Sequence, residues 1–130
     1  MSALGFKNSL GIHPQVMQLH AARAEILANN LANSDTPHFK ARDFDFKAVL
    51  EGESKRSMEM NVTSERHLRG SIQTDSELMF RNPYQPAIDG NTVDSQIEQT
   101  LYTENALRYN ASFQFLNGSF KGLKGAIKGQ

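Results

Sequence analysis

The chain has 130 residues, of which 38% are hydrophobic, enough for one modest or elongated domain but too apolar-poor for a large central core. Fourteen basic and fourteen acidic residues cancel, so no positive excess is available to neutralise a phosphate backbone, and nucleic acid is a poor partner. Cysteine is absent, which excludes disulfides, thiolate metal sites and cysteine nucleophiles together.

The amino terminus, MSALGFKNSLGIHPQ, has no apolar run of signal-peptide length behind a positive start, and nothing further along reaches membrane-spanning length. Neither a cleaved leader nor direct membrane insertion is expected. A first helix is predicted from about Pro14 to Asn33, with Pro14 suited to the first turn. Val16, Leu19, Ile26 and Leu27 recur at helical spacing, and Met17, Ala21, Ala24, Ala28 and Leu31 follow the same steps on a neighbouring face. Small or apolar residues on two faces call for two sets of neighbours.

The helix ends in Asn29, Asn30 and Asn33 and breaks at Thr36-Pro37. Phe44 and Phe46 then alternate with Asp43, Asp45 and Lys47, the pattern of a short strand with one apolar face. Phe39 and Ala41 have the opposite parity, which predicts a turn or bulge near Arg42. The charged stretch EGESKRSMEMN, residues 51–61, is predicted to be a mobile loop, and MNVTSERHLRG, residues 60–70, to hold one short strand and a turn. RNPYQPAIDG, residues 81–90, has the composition of an extended strap leading into a second helix.

That helix is expected after Asp89-Gly90-Asn91, with Asn91 or Asp94 as cap and Ser95 and Glu98 spaced as a capping box. Tyr102, Ala106, Tyr109, Phe113, Leu116, Phe120, Leu123 and Ile127 then sit at alternating steps of four and three, the seam that winds helices around one another. Such a helix is roughly 55 Å long at 1.5 Å per residue, more than a compact domain of this size can cover. The predicted fold is mainly α: long amino- and carboxyl-terminal helices form a coiled-coil-like bundle, with a small irregular or β segment between them. The boundaries are 1–35 for the first helix, 36–90 for the extended middle with its loop, and 91–130 for the heptad helix.

Catalysis has no visible footing. His13 and His20, seven apart, share a helical face but stand about 10 Å apart, too far for one metal, and a solvated face explains them. His38 and His67 have no acidic or histidine partner at ligand spacing, and Asp43 with Asp45 or Glu51 with Glu53 are alternate residues facing solvent together. No GxSxG, HExxH or phosphate-binding glycine loop occurs, so no cofactor, metal or catalytic residue is expected. Lys121, Lys124 and Lys128 complement the dipole at a helix end.

NNLANSDTPHFKARDFDF, residues 29–46, resembles the signature of the bacterial flagellar rod, hook and related axial proteins, whose first helix ends in an Asn-rich segment. DTPHFKARDFDF looks like the proximal-rod branch in particular. DGNTVDSQIEQ and ENALRYNASFQFLNGSFKGL are similar to that family's carboxyl-terminal segment, and MNVTSERHL is a weaker match in the middle. The FlgC-type rod proteins share the Asn-rich helix end, but the run after it fits the proximal branch better. His38 stands where the family commonly has glycine, which argues against a left-handed backbone there, and Phe39 replaces a tyrosine and its hydroxyl.

The resemblance implies a non-enzymatic subunit of the basal-body rod, exported without a cleaved signal peptide through the flagellar type III apparatus to the periplasmic rod. Its partners would be copies of itself, rod proteins of the FlgC, FlgF and FlgG types, and the basal-body adaptor FliE. The expected subunit interface comprises Asn29, Asn30, Asn33, Asp35, Thr36, Pro37 and Phe39 with Tyr102, Tyr109, Phe113, Leu116, Phe120, Leu123 and Ile127. The amides would satisfy carbonyls at the helix end and fix register against a neighbouring helix. Rival readings are a soluble helical adaptor or chaperone-like protein binding a partner helix, and a peptidoglycan-cleaving enzyme, against which the lack of a paired carboxylate cleft argues.

Overall fold

The structure, a computed structural model, describes residues 10–59, 78–83 and 85–129. In chain order the elements are α1 (His13–Ala32), β1 (Arg42–Asp43), α2 (Phe46–Glu59), β2 (Met79–Phe80) and α3 (Ser95–Lys128). Helices α1 and α3, 20 and 34 residues long, run roughly 30 and 51 Å at the usual rise per residue. They lie antiparallel, since Asn30 meets Glu98, His20 meets Asn105 and His13 stacks on Phe115.

Pro14 falls in the first turn of α1, where its missing N–H costs nothing. Asp94 caps α3 by accepting from the N–H groups of Gln96 and Ile97, and Gly129 ends it in a left-handed conformation with its N–H bonded to Gly125. The expected capping box is absent, because Glu98 turns inward to other partners instead of reaching back along its own helix.

The predicted strand around Phe44 and Phe46 is confined to Arg42–Asp43, which pairs antiparallel with β2 (Arg42 opposite Phe80, Asp43 opposite Met79). Asp45 overrides the alternation. Its carboxylate accepts from Lys47 and Ala48 N–H at 3.0 and 3.1 Å, the geometry of a helix cap, and the chain turns into α2 at Phe46. Residues 51–59, expected as a loop, therefore continue a helix whose Phe46, Val49 and Leu50 face inward at helical spacing. The strand and turn expected in residues 60–70 lie outside the described residues.

The core is small, as composition requires: Leu19, Phe44 and Val49 are buried together, with Ile26, Phe46, Leu50 and Leu78 packed around them. The described part of the expected strap, residues 81–83 and 85–90, runs on through residues 91–94 into α3. It is tied to the segment after α1 by Thr92 N–H to Phe39 O (3.0 Å), Ala41 N–H to the Thr92 hydroxyl (2.7 Å) and His38 N–H to Asp89 O (3.0 Å). His38 does adopt a left-handed backbone (φ 61°), contrary to the expectation, because that turn brings residues 38–41 alongside the strap. Gly90 (φ 74°) makes room for it, since a Cβ there would lie 2.9 Å from His38 Nδ1.

Candidate assembly interface

The seam between α1 and α3 is polar where it is deepest. Glu98, Asn105 and Ser112, spaced by sevens, are the buried residues of α3. Glu98 is completely buried, accepting from Arg81 on one carboxylate oxygen and from Asn30 Nδ2 at 3.2 Å on the other. Arg81 also donates to Asp43 Oδ2 at 2.9 Å, and Asp43 receives a two-pronged contact from Arg23 at 3.1 and 2.9 Å. The resulting chain of alternating charge, Arg23–Asp43–Arg81–Glu98, ties α1, β1, the residue that follows β2 and α3 into one clasp.

Asn30 completes the clasp through both halves of its amide. Its Nδ2 donates to Arg42 O at 2.7 Å while its Oδ1 accepts from Arg42 N–H at 3.1 Å, so one side chain closes the open edge of β1 as a strand would. Ten residues earlier on α1, His20 and Asn105 make a second reciprocal pair. His20 Nδ1–H donates to Asn105 Oδ1 at 2.8 Å, and Asn105 Nδ2 donates to the His20 carbonyl at 2.8 Å. The solvated-face reading of His20 is thus overturned: the ring is buried and stacked on Phe46, with centroids 4.3 Å apart. His13 likewise stacks on Phe115 at 5.4 Å.

Burial holds the His20 imidazole below the usual histidine range; the bond to Asn105 opposes this, and the nearby charges of Arg108 and Arg23 add to it. Burial pushes the Asp43 carboxyl up, but the Arg23 guanidinium, the Phe44 amide and the Arg81 charge outweigh it and hold the group below the usual carboxylate value. The bond to Asp43 raises Arg23 in turn, against burial. Both ends of the Arg23–Asp43 contact are charged at neutral pH.

The carboxyl end of α1 is closed from across the fold. The Asn91 amide donates to the carbonyls of Asn33, Ser34 and Thr36 at 2.8 to 3.0 Å, and its Oδ1 accepts from Val93 N–H at 2.7 Å. Asn33 bonds back to the Asn29 carbonyl at 2.8 Å and accepts from the Thr36 hydroxyl at 3.1 Å. Of the three asparagines at the helix end, Asn33 caps its own helix, Asn30 locks to a neighbouring one, and Asn29 is exposed. Asp35, Thr36 and Pro37 are exposed around the turn, and Phe39 is half-buried.

The aromatic seam of α3 does not face α1. Tyr102 is 44% exposed, Tyr109 36%, Phe113 51%, Phe120 46% and Ile127 77%, with only Leu116 and Leu123 half-buried. The face turned to α1 carries Leu101, Asn105 and Ser112, each one residue before a seam position and so about 100° around the helix. The seam is therefore an outward ridge running the length of α3, and the intrachain pairing of α1 and α3 uses a different face.

Between α1 and the ribbon lies an open groove of about 420 Å³, lined by Ala22, Glu25, Ile26, Asn29 and Asn30 of α1 and by Phe39, Arg42 and Leu78. The anticipated interface residues thus divide between a groove (Asn29, Asn30, Phe39), a turn (Asn33, Asp35, Thr36, Pro37) and a ridge (the α3 set). Sequence reasoning missed Arg23, Arg81 and Asn105, read Asp43 as facing solvent where it is instead part-buried between Arg23 and Arg81, and took Glu98 only as part of a cap. The available signal was the polar repeat Glu98, Asn105, Ser112 and Ser119 at intervals of seven beside the aromatic one. Among the described residues no helix is long and apolar enough to cross a membrane, and no three His, Asp or Glu side chains gather to hold a metal ion.

A family model described as flagella basal body rod protein matches residues 17–40, all but the first four residues of α1 and the turn beyond it. Over nearly the whole chain there are closer relatives. The flagellar basal body rod protein FlgB of Cereibacter sphaeroides is 42% identical, with 97% of this chain and 98% of the relative covered. The FlgB protein of Aeromonas hydrophila is 40% identical over 98% of both, and that of Escherichia coli strain K12 is 36% identical over 92% and 93%. With identity at this level running end to end, the chain belongs to the flagellar basal body rod protein family, among its FlgB members, and is a structural subunit of the rod, not an enzyme.

Proposed function

We propose that this subunit acts in the proximal rod, where it assembles with copies of itself and with rod proteins of the FlgC, FlgF and FlgG types, against the basal-body adaptor FliE. It reaches the periplasm through the flagellar type III export apparatus without cleavage of a signal peptide, and the finished shaft transmits torque to the hook. The interface comprises the α3 ridge together with the exposed turn at Asp35, Thr36 and Pro37 and the Asn29 and Phe39 side of α1.

The observation that carries this reading is the ridge itself. Tyr102, Tyr109, Phe113, Phe120 and Ile127 form a long apolar line that no part of the described chain covers, at the spacing by which helices interlock. Torque also demands that the two long helices not slide. Shifting α1 against α3 would unpair His20 from Asn105 and Asn30 from Glu98, and buried polar groups left without partners cost about 1–3 kcal/mol each.

The test is the double variant Phe113→Ser, Phe120→Ser expressed in place of the wild-type chain. Both side chains are half out in solvent, so the purified variant is expected to keep its helical circular dichroism while the cells lose hooks and swimming. Normal hook-basal bodies in these cells would remove the ridge from the interface.

A further inference from the structure

We infer that the groove between α1 and the β ribbon is the socket for the α3 ridge of a second copy, received at Phe120 with Lys121 and Lys124 meeting Glu25. The inference rests on the self-assembly reading above and names the partner of that surface.

Shape gives the first argument. The groove is open, about 420 Å³, and is lined by the apolar Ala22, Ile26, Phe39 and Leu78 and by Asn30, with the exposed Glu25, Asn29 and Arg42 around them. That is a setting for an aromatic side chain with a polar rim around it. No ridge residue lines the groove, so a chain does not fill its own socket with its own ridge.

Charge decides which part of the ridge enters. From Asn105 to the carboxyl end α3 has no acidic residue, so Lys121, Lys124 and Lys128 have no acid of their own segment to pair with, whereas Arg108 is taken by Glu104 at 2.6 Å. Arg42, the one cation among the described residues lining the groove, turns its guanidinium over the Phe80 ring at 5.3 Å, which leaves Glu25 to set the sign of the rim on the α1 side. A cationic ridge end and an acidic rim are complementary, and the Tyr102 end, beside Glu104, is not. Because ridge and socket are different surfaces, each copy offers one of each. Their pairing is head-to-tail and leads to an open array.

The absence of native cysteine makes the test direct. Full-length Phe120→Cys and Asn29→Cys chains, distinguished by a size tag, are mixed under conditions where light scattering shows association and then oxidised. A mixed disulfide between the two chains is expected, and none when Phe120→Cys is replaced by Thr100→Cys, an exposed position off the ridge. Glu25→Lys should weaken association about fivefold, the upper range for an exposed ion pair, and combining it with Lys121→Glu and Lys124→Glu should restore it. Ridge-to-ridge disulfides, or association without any mixed product, overturn the socket while leaving self-assembly standing. Failure to associate at any concentration, alone or with other rod proteins, overturns self-assembly and the socket with it.

Discussion

His20 and Asn105, 85 residues apart in sequence, exchange two hydrogen bonds of 2.8 Å across the seam of the two long helices, and His20 occupies its place as a neutral ring. Burial lowers its pKa, so in the folded chain the value lies beneath the unfolded one of about 6.5. The unfolded chain then binds more protons between the two values. The contribution of His20 is full above the unfolded pKa and is lost as pH falls towards and through the folded one. Urea unfolding of the isolated chain, followed by circular dichroism, is expected to show a lower midpoint at about pH 5.5 than at 7.5, with a smaller drop in His20→Phe. Asp43, also depressed, adds its loss only at lower pH, as the fall continues below the usual carboxylate value of about 3.9 and through the folded pKa. A midpoint that stays level from neutrality to the carboxylate range would contradict the neutral, buried His20.

Glu98 is the hinge of the charge clasp, and its loss is expected to cost more than that of any surface acid. Glu98→Ala leaves Arg81 with Asp43 alone and takes from the Asn30 amide N–H donors one of their two acceptors in a buried site. Breaking one partner out of a buried pair costs about 3–5 kcal/mol, and the retained Asp43 contact places this case at the lower end. Glu104→Ala removes only an exposed contact to Arg108 and should cost under about 1 kcal/mol by the same denaturation measurement. Equal effects of the two substitutions would mean that the clasp contributes no more than a surface pair.

The broad architecture was legible because it rests on local chemistry: Pro14 and Asp94 open the two long helices, and prolines with Gly90 make the strap. Helix α2 was hidden by a conflict between two local signals. The alternation of Phe44 and Phe46 suggested a strand, and the cap at Asp45, which decides the outcome, is a single residue inside that pattern. The clasp was illegible for a different reason. Arg23, Asp43, Arg81 and Glu98 come from four separate stretches, and nothing in their spacing shows that the ribbon will bring them together. The aromatic seam was visible, but a periodicity states only that a helix has an apolar line. It does not state whether that line is covered by the same chain, and here the inward face is the polar repeat one residue earlier.

Asn91 offers a test that separates shape from hydrogen bonding. Its amide donates to the carbonyls of Asn33, Ser34 and Thr36, closing the end of α1, and its oxygen holds Val93 N–H. Asn91→Asp keeps size and the contact to Val93 but brings a carboxylate against three carbonyl oxygens. It is expected to destabilise at least as much as Asn91→Ala, which loses the bonds at about 1–3 kcal/mol without adding repulsion. Thermal unfolding at neutral pH ranks the two. A milder effect of aspartate would show that the donated bonds are not what matters at this site.

Gly90 and His38 form a coupled pair, and a double-mutant cycle should expose the coupling. A methyl group at Gly90 would meet His38 Nδ1 at 2.9 Å on a backbone already at φ 74°, so Gly90→Ala combines a contact with conformational strain. The strain alone is worth about 1–2 kcal/mol for an L residue in the left-handed region. His38 itself sits at φ 61°, so His38→Gly relieves a similar strain but gives the unfolded chain more freedom, about 0.4–1 kcal/mol, and the net change should be small. In the His38→Gly background the ring that opposes the methyl is gone, and Gly90→Ala should cost less than in the wild type. The difference between the two costs is the ring contact itself, expected in the range of roughly 0.5–1 kcal/mol for neighbouring residues. Additive effects, with Gly90→Ala costing the same in both backgrounds, would mean that backbone strain at Gly90 accounts for the whole of its requirement and that the His38 side chain swings away freely.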